Sequence, residues 1–344
     1  MTLAVATADE EQLPIALTSG EPAGIGGEIT IKAWRRRADG GPVFFAIDDP
    51  ARLKRLGEST GLAVPLTSID RPEQAAAVFP TALPVLARSL ATDPVPGKPD
   101  PANGPAVIAA IETAVALASA GRAGAVVTNP IHKACLYQTG FGFPGHTEFL
   151  AHLAGTDILP VMMLASPLLR VVPVTVHVSL KEAIASLDLD LIVKTAETTA
   201  AALRHDFAIA RPRLAIAGLN PHAGEGGAMG SEEADIIAPA VERVRRAGIE
   251  VLGPVSPDTL FHAAARETYD AVLCMYHDQA LIPIKTLDFD GAVNVTLGLP
   301  FVRTSPDHGT ALDIAGTGKA SEASLVAALR MAADMARRRA AAAG

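Results

Sequence analysis

The chain has 344 residues, of which 49% are hydrophobic and 19% charged, and its net charge is −8. That length exceeds a single domain of about 100 to 200 residues, so two domains or one large α/β unit are expected. The acidic balance argues against a general nucleic-acid binder, while leaving room for a local cationic pocket that takes a small anion.

The 2 cysteines, Cys135 and Cys274, stand in dissimilar contexts without CxxC spacing. A disulfide scaffold and a cysteine-based zinc site are therefore not expected. The start, MTLAVATADEEQLP, has no basic region and turns acidic at Asp9, unlike a signal peptide. No apolar run reaches the roughly 20 residues of a membrane helix. A soluble cytoplasmic protein with a loose extension over its first dozen residues is the expectation.

Short apolar runs alternate with longer helical patterns, as in strands joined by helical crossovers. Residues 15–18 read as a first strand, followed by the loop GEPAGIGGE from Gly20 and a helix through Trp34. The loop lacks GxGxxG spacing, so it is not the dinucleotide fingerprint; a ligand loop and a tight connection needing positive φ both fit it. Residues 43–47 form a second strand. The stretch 70–105, rich in proline and ending PVPGKPDPANGP, reads as an irregular excursion. A helix follows over 105–120, with Pro at its start and Gly121 at its end. The strand 123–127 then ends in TNPIHK.

FGFPGHTEFL, from Phe141, opens a helix whose first turn holds His146 and Thr147. The macrodipole favours an anion there, and a phosphate fits; a capping Thr beside an incidental His is the structural alternative. Three further segments share one form, an apolar run that ends in a histidine: His177, His222 and His277. In a parallel sheet ligands gather beyond the carboxyl ends of strands, where these three imidazoles can converge. Three imidazoles and an open position describe a catalytic site for Zn²⁺, Co²⁺ or Fe²⁺ rather than for Mg²⁺.

GEGGAMG, after His222, also misses GxGxxG and shapes the loop holding that histidine. Ser231, Glu232 and Glu233 cap a helix over 231–247. Asp258 lies in a turn and is a candidate proton carrier. The stretch 269–319 concentrates ionisable and polar groups, among them Lys285, Asn294, Arg303, Asp307, His308 and Asp313. Burying so many without partners is heavily penalised, so they point to a site. A last helix spans 321–340 and closes on Arg337–Arg339, a solvated end with cations at the negative pole.

GEPAGIG at Gly20, FPGHTEF at Phe143, NPHAGE at Asn220, MYHDQ at Met275, VNVTLGLPF at Val293, RTSPDHGTA at Arg303 and DIAGTGKA at Asp313 occur in this order. Together they resemble the 4-hydroxythreonine-4-phosphate dehydrogenase family of pyridoxal phosphate biosynthesis over nearly the whole chain. The resemblance implies an α/β fold of two α/β/α domains, similar to isocitrate and isopropylmalate dehydrogenases. Residues 1–137 plus 292–344 would form the cofactor side and 138–291 the metal and dimer side. The active site would lie in the interdomain cleft at the interface of a homodimer.

By the same resemblance NAD or NADP is bound without the Rossmann fingerprint. The metal ligands would be His177, His222 and His277, the last reaching in from the other subunit, with Zn²⁺ favoured and Mg²⁺ or Co²⁺ as alternatives. Substrate binding falls on His146, Thr147, Lys285, Asn294 and Arg303, and catalysis on Lys285 and Asp258. His308, Gly309, Thr310 and Asp313 lie in a segment that looks like the cofactor loop of isopropylmalate dehydrogenase. The implied reaction is oxidative decarboxylation of 4-phosphooxy-L-threonine to 3-amino-2-oxopropyl phosphate and CO₂. Relatives acting on 4-phospho-D-threonate, 4-phospho-D-erythronate or a cis-dihydrodiol carboxylate are the alternatives. One departure is Gly27, where the family has proline.

Overall fold

The computed structural model describes residues 12–155 and 159–343. The N-terminal extension expected over the first dozen residues falls, apart from Gln12, outside them. The strands are β1 (Ile15–Thr18), β2 (Phe44–Asp48), β3 (Leu66–Ile69), β4 (Leu83–Ala87), β5 (Val126–Val127) and β6 (Val161–Ala165). The others are β7 (Arg170–Pro173), β8 (Arg213–Ala217), β9 (Glu250–Val255), β10 (Ala271–Cys274), β11 (Val293–Leu297) and β12 (Arg303–Pro306). They form one mixed sheet in the order β3-β4-β2-β1-β5-β12-β11-β6-β7-β10-β8-β9. Strands from 1–137 and 292–344 make up the first seven places of that order, and strands from 138–291 the last five.

Two parallel arms meet at an antiparallel seam, because β11 runs against both β12 and β6, and β6 runs against β7. The central strands β1, β2 and β10 are buried at every residue. That is why their sequences are continuous apolar runs rather than alternating ones: helices cover both faces of a parallel arm.

Several expectations need correction. The stretch 70–105 contains β4, which lies between β2 and β3 with Pro84 in register with Thr67. A proline in an inner strand removes a ladder donor, so its presence hid the strand signal. The helix Gly104–Ser119 lies within a run, Pro101–Ser119, that is long and apolar enough to cross a membrane by length and composition. Its Val107, Ala110, Ile111 and Ala114 are instead buried in one cluster with Ala16, Phe45 and Ile47. The segment expected as one capped helix over 231–247 opens as a wide π-turn, Glu233–Ile237, before the α-helix Ala238–Arg246.

The last helix is Ala323–Ala343, and its basic end is not merely solvated. Arg339 pairs with buried Asp206, and Arg338 donates to the carbonyl of Phe207 at 3.2 Å. Gly27 also has a packing reason. A Cβ there would lie 2.6 Å from Leu56 Cδ2 and 3.0 Å from Arg52 Nη2. Arg52 is buried, donates to the carbonyl of Pro22 at 2.9 Å and pairs with Asp48 at 2.5 Å, so glycine leaves its guanidinium room.

Candidate functional site

The pairing of β7 with β10 sets the first half of the site. The register places Pro173 opposite Cys274, and the ladder continues past both strands. Val174 N–H donates to Cys274 O at 2.8 Å, and Thr175 Oγ1 to Met275 O at 2.8 Å. His177 and His277 therefore emerge side by side, with ring centroids 5.7 Å apart. His277 begins the helix His277–Leu287, and its Nδ1 lies 2.7 Å from Asp278 Oδ1, which orients the ring. Burial holds His177 below the ordinary histidine range, helped by the charges of Lys133 and His277. A lowered pKa at His177 fits a divalent cation, since metal ligation needs the unprotonated ring.

Beside this pair lies a cavity of about 740 Å³ bordered by Thr128, Lys133, His146, Thr147, Lys285, Asn294, Arg303 and Asp307, with both histidines in its wall. Arg303 is only 3% exposed. Its Nη1 donates to Thr296 Oγ1 at 2.8 Å and its Nη2 to Thr128 Oγ1 at 2.7 Å, while Nε has no partner. Burial pulls its pKa down to about 10. A buried guanidinium whose hydrogen bonds go only to hydroxyls, with Glu148 as the nearby carboxylate charge, keeps capacity for an anion beside it.

The helix His146–Ala154 points its start into the same cavity and has Gly145 as its N-cap, with no side chain capping its first N–H groups. His146 Nε2 is shielded from solvent and unpartnered. Its pKa is held well below the ordinary histidine value, first by burial and then by the charges of Arg303 and Lys133. Free N–H groups, the helix dipole, Arg303 and a neutral His146 thus face one volume, which suits a phosphate.

Lys285 Nζ lies 2.8 Å from Asp307 Oδ2, joining the helix after β10 to the segment after β12. That segment is pinned elsewhere too. Ile25 N–H donates to Thr310 O at 3.1 Å, Lys32 Nζ to Gly318 O at 2.8 Å, and Gly316 N–H to the carboxylate of Glu28. His308 and Gly309 border the cavity, and the buried His308 Nε2 is unpartnered. Thr310 meets the glycine loop at Gly24, and Asp313 is exposed away from the cavity wall. His308, Gly309 and Thr310 thus lie between the glycine loop and the cavity.

His222 and Asp258 belong to a separate place. Both are exposed, and neither lines the cavity. The two are neighbours, because the charge of His222 helps depress the pKa of Asp258 behind its main cause, a 2.5 Å bond from Ser256 Oγ. His222 has φ +53°, and Ala223, Gly224, Glu225, Gly226 and Gly227 also have positive φ. Glu233 braces this strained loop by accepting from the backbone N–H of Leu219 at 2.8 Å and of Asn220 at 2.7 Å. It is therefore a loop anchor rather than a helix cap.

Within one chain His277 stands beside His177, while His222 lies outside the cavity wall. Three charged wall residues were given no role in the sequence reading: Lys133, Glu148 and Asp307. Lys133 follows a strand end and Glu148 lies in the first turn after His146, so the rule used for the histidines would have found the first. Nothing in the sequence pairs Asp307 with Lys285.

An α/β sheet whose strand ends deliver a buried, anion-ready arginine and a pair of adjacent imidazoles to one cavity defines a small-molecule enzyme of the open-sheet class. The chain belongs to the family described as pyridoxal phosphate biosynthetic protein PdxA, whose profile matches residues 42–332. The 4-hydroxythreonine-4-phosphate dehydrogenase of Bradyrhizobium diazoefficiens is 57% identical over 335 residues, covering 94% of this chain and 97% of that protein. The enzyme of the same name from Caulobacter vibrioides is 54% identical over 331 residues, covering 95% and 98%. The crystal structure of 4-hydroxythreonine-4-phosphate dehydrogenase from Klebsiella pneumoniae superposes with a TM-score of 0.86 at 39% identity, covering 96% of this chain and 99% of that one. A terephthalate 1,2-cis-dihydrodiol dehydrogenase from Burkholderia xenovorans is more distant, with a TM-score of 0.63 at 30% identity and coverage of 94% and 98%. The chain is accordingly an oxidoreductase of pyridoxal phosphate biosynthesis.

Proposed function

We propose that this chain catalyses the NAD(P)-dependent oxidative decarboxylation of 4-phosphooxy-L-threonine to 3-amino-2-oxopropyl phosphate and CO₂. The observation that carries the reading is Arg303, buried with only hydroxyl partners next to the free start of the helix His146–Ala154. That pair calls for a phosphorylated substrate and sets it against an unphosphorylated dihydrodiol. Bound groups supply the rest: a divalent cation polarises the substrate's oxygen functions, and a nicotinamide accepts the hydride.

The chain's own residues position and protonate. Arg303, His146 and Thr147 hold the phosphate, so that binding energy remote from the reacting carbon orients the hydroxyl. Asn294, in the cavity wall, hydrogen-bonds the substrate. Once the alcohol is oxidised, the ketone lies β to the carboxylate, and CO₂ departs with the electron pair moving toward the ketone oxygen. Lys285, an ammonium already paired with Asp307, returns a proton to the carbon that CO₂ leaves.

The working unit in this reading is a homodimer of two-domain subunits, in the cytoplasm, divided at 137/138 and 291/292. A second copy supplies His222 and Asp258 to the cavity of the first. Support comes from the exposure of that loop and from exposed apolar side chains on the same half of the chain: Leu180, which shares a pocket with His177 and His277, and Ile184, Ile282 and Phe289. The direct test is cofactor reduction by purified protein given NAD⁺ or NADP⁺, Zn²⁺ or Co²⁺, and the substrate; no turnover by the metal-loaded protein rejects the assignment. Mixing inactive His222→Ala and His277→Ala chains tests the shared site. Random exchange should restore about a quarter of the activity; no recovery would mean that one chain supplies all three imidazoles.

A further inference from the structure

The tightest cluster of potential metal donors in the described residues is not at the imidazole pair. Glu21, His132 and Cys135 each offer one ligand atom, and the three atoms lie within 4.8 Å of one another. Pairing of β1 with β5 brings them together, since Leu17 is in register with Val127 and both chains then turn over the same sheet end. Glu21 N–H donates to Pro130 O at 2.8 Å, locking the two loops, and a Cβ on Gly20 would lie 2.6 Å from that same oxygen. The close approach therefore depends on glycine at position 20, where φ is +65°.

We infer that Glu21, His132 and Cys135 form a second cation site, built for Zn²⁺ or a similar borderline-soft metal, on the opposite arm of the sheet from His177 and His277. Carboxylate, imidazole and thiolate are all zinc donors, and three of them leave one position open. A cluster that was only a packed polar core would satisfy its members internally. Here no hydrogen bond joins the three: Glu21 Oε1 accepts from Ala23 N–H at 3.0 Å, and His132 Nδ1 is inaccessible to solvent without any partner. Glu21 and Cys135 are each only 3% exposed. Burial raises the pKa of Glu21, and burial with the nearby charge of Glu21 raises that of the Cys135 thiol. The spacing of the two cysteines gave no hint of this site, because its ligands come from two loops and only one is sulfur. An ion here would also fix the turn bearing Lys133, which borders the catalytic cavity.

The test uses chelator-treated full-length protein titrated with Co²⁺, following the near-ultraviolet thiolate-to-cobalt charge-transfer band and counting bound ions by dialysis and elemental analysis. The imidazole site cannot produce that band, so its failure and the failure of the proposed reaction are separable. Wild type should show the band, His177→Ala should keep it, and Cys135→Ser should lose both the band and one bound ion per chain. Glu21→Gln should keep the band with cobalt affinity reduced at least about tenfold. His132→Asn, at the half-buried position, serves if Cys135→Ser does not fold, and should likewise lose the ion. No band in folded wild type with its thiols reduced, or an undiminished band in Cys135→Ser, overturns the site.

Discussion

The Arg303 cavity and the His222 loop, which the proposed dimer would bring together, are built in opposite ways. Arg303 is buried among Thr128 and Thr296, on strands held on both sides by the sheet. His222 is exposed on a loop of successive positive φ values, held by the carboxylate of Glu233. One region is finished within a single chain and waits only for an anion. The other holds an imidazole outward on strained backbone, an arrangement that the proposed docking of a second copy would use.

That contrast can be broken most severely at the paired imidazoles. His277→Ala should lower kcat/KM roughly a thousand-fold, about 4 kcal/mol of lost transition-state stabilisation, with the fold retained by circular dichroism. Loss of less than tenfold would detach the pair from the chemistry. Arg303→Met should come next. Substrate binding should weaken roughly a hundred-fold, about 3 kcal/mol, while stability to urea stays level or rises because a buried cation with no hydrogen-bonded carboxylate has gone. If stability falls together with binding, Arg303 is a structural residue.

Glu233→Gln sharpens the other side of the comparison. Weakening the brace on Leu219 and Asn220 should reduce unfolding free energy by about 1 to 2 kcal/mol and lower activity through a misplaced His222. An unchanged urea midpoint with full activity would show that the loop holds itself. The mildest effect is on pH. His146 is held well below its ordinary value by burial and by the charges of Arg303 and Lys133, so it is uncharged in the fold. Its contribution is complete above about pH 6.5 and is lost as pH falls toward the folded value. Urea midpoints measured from pH 8 down to 5 should therefore decline on the acid side, and His146→Gln should flatten the decline.

The sequence reading located much of this, for identifiable reasons. Ile15–Thr18 and Ala271–Cys274 were legible as strands because a parallel arm buries both faces, leaving an apolar run bounded by turns. His177 and His277 were legible as strand-end residues by the same logic. β4 was not, since Pro84 and its proline-rich surroundings mask it, and Glu233 was misread because an acid at a helix start has a sufficient local explanation.

Local pattern determined the elements, the anion-ready helix start at His146 and the set of polar residues that could take part in chemistry. Which of them meet was decided by pairings between distant strands. The register of β7 with β10 put His177 beside His277 and left His222 outside, and the neighbouring of β1 and β5 gathered Glu21, His132 and Cys135. Periodicity along a chain records what each residue faces, not which remote segment lies next to it, because adjacency in a parallel sheet is set by crossovers that carry no local signature.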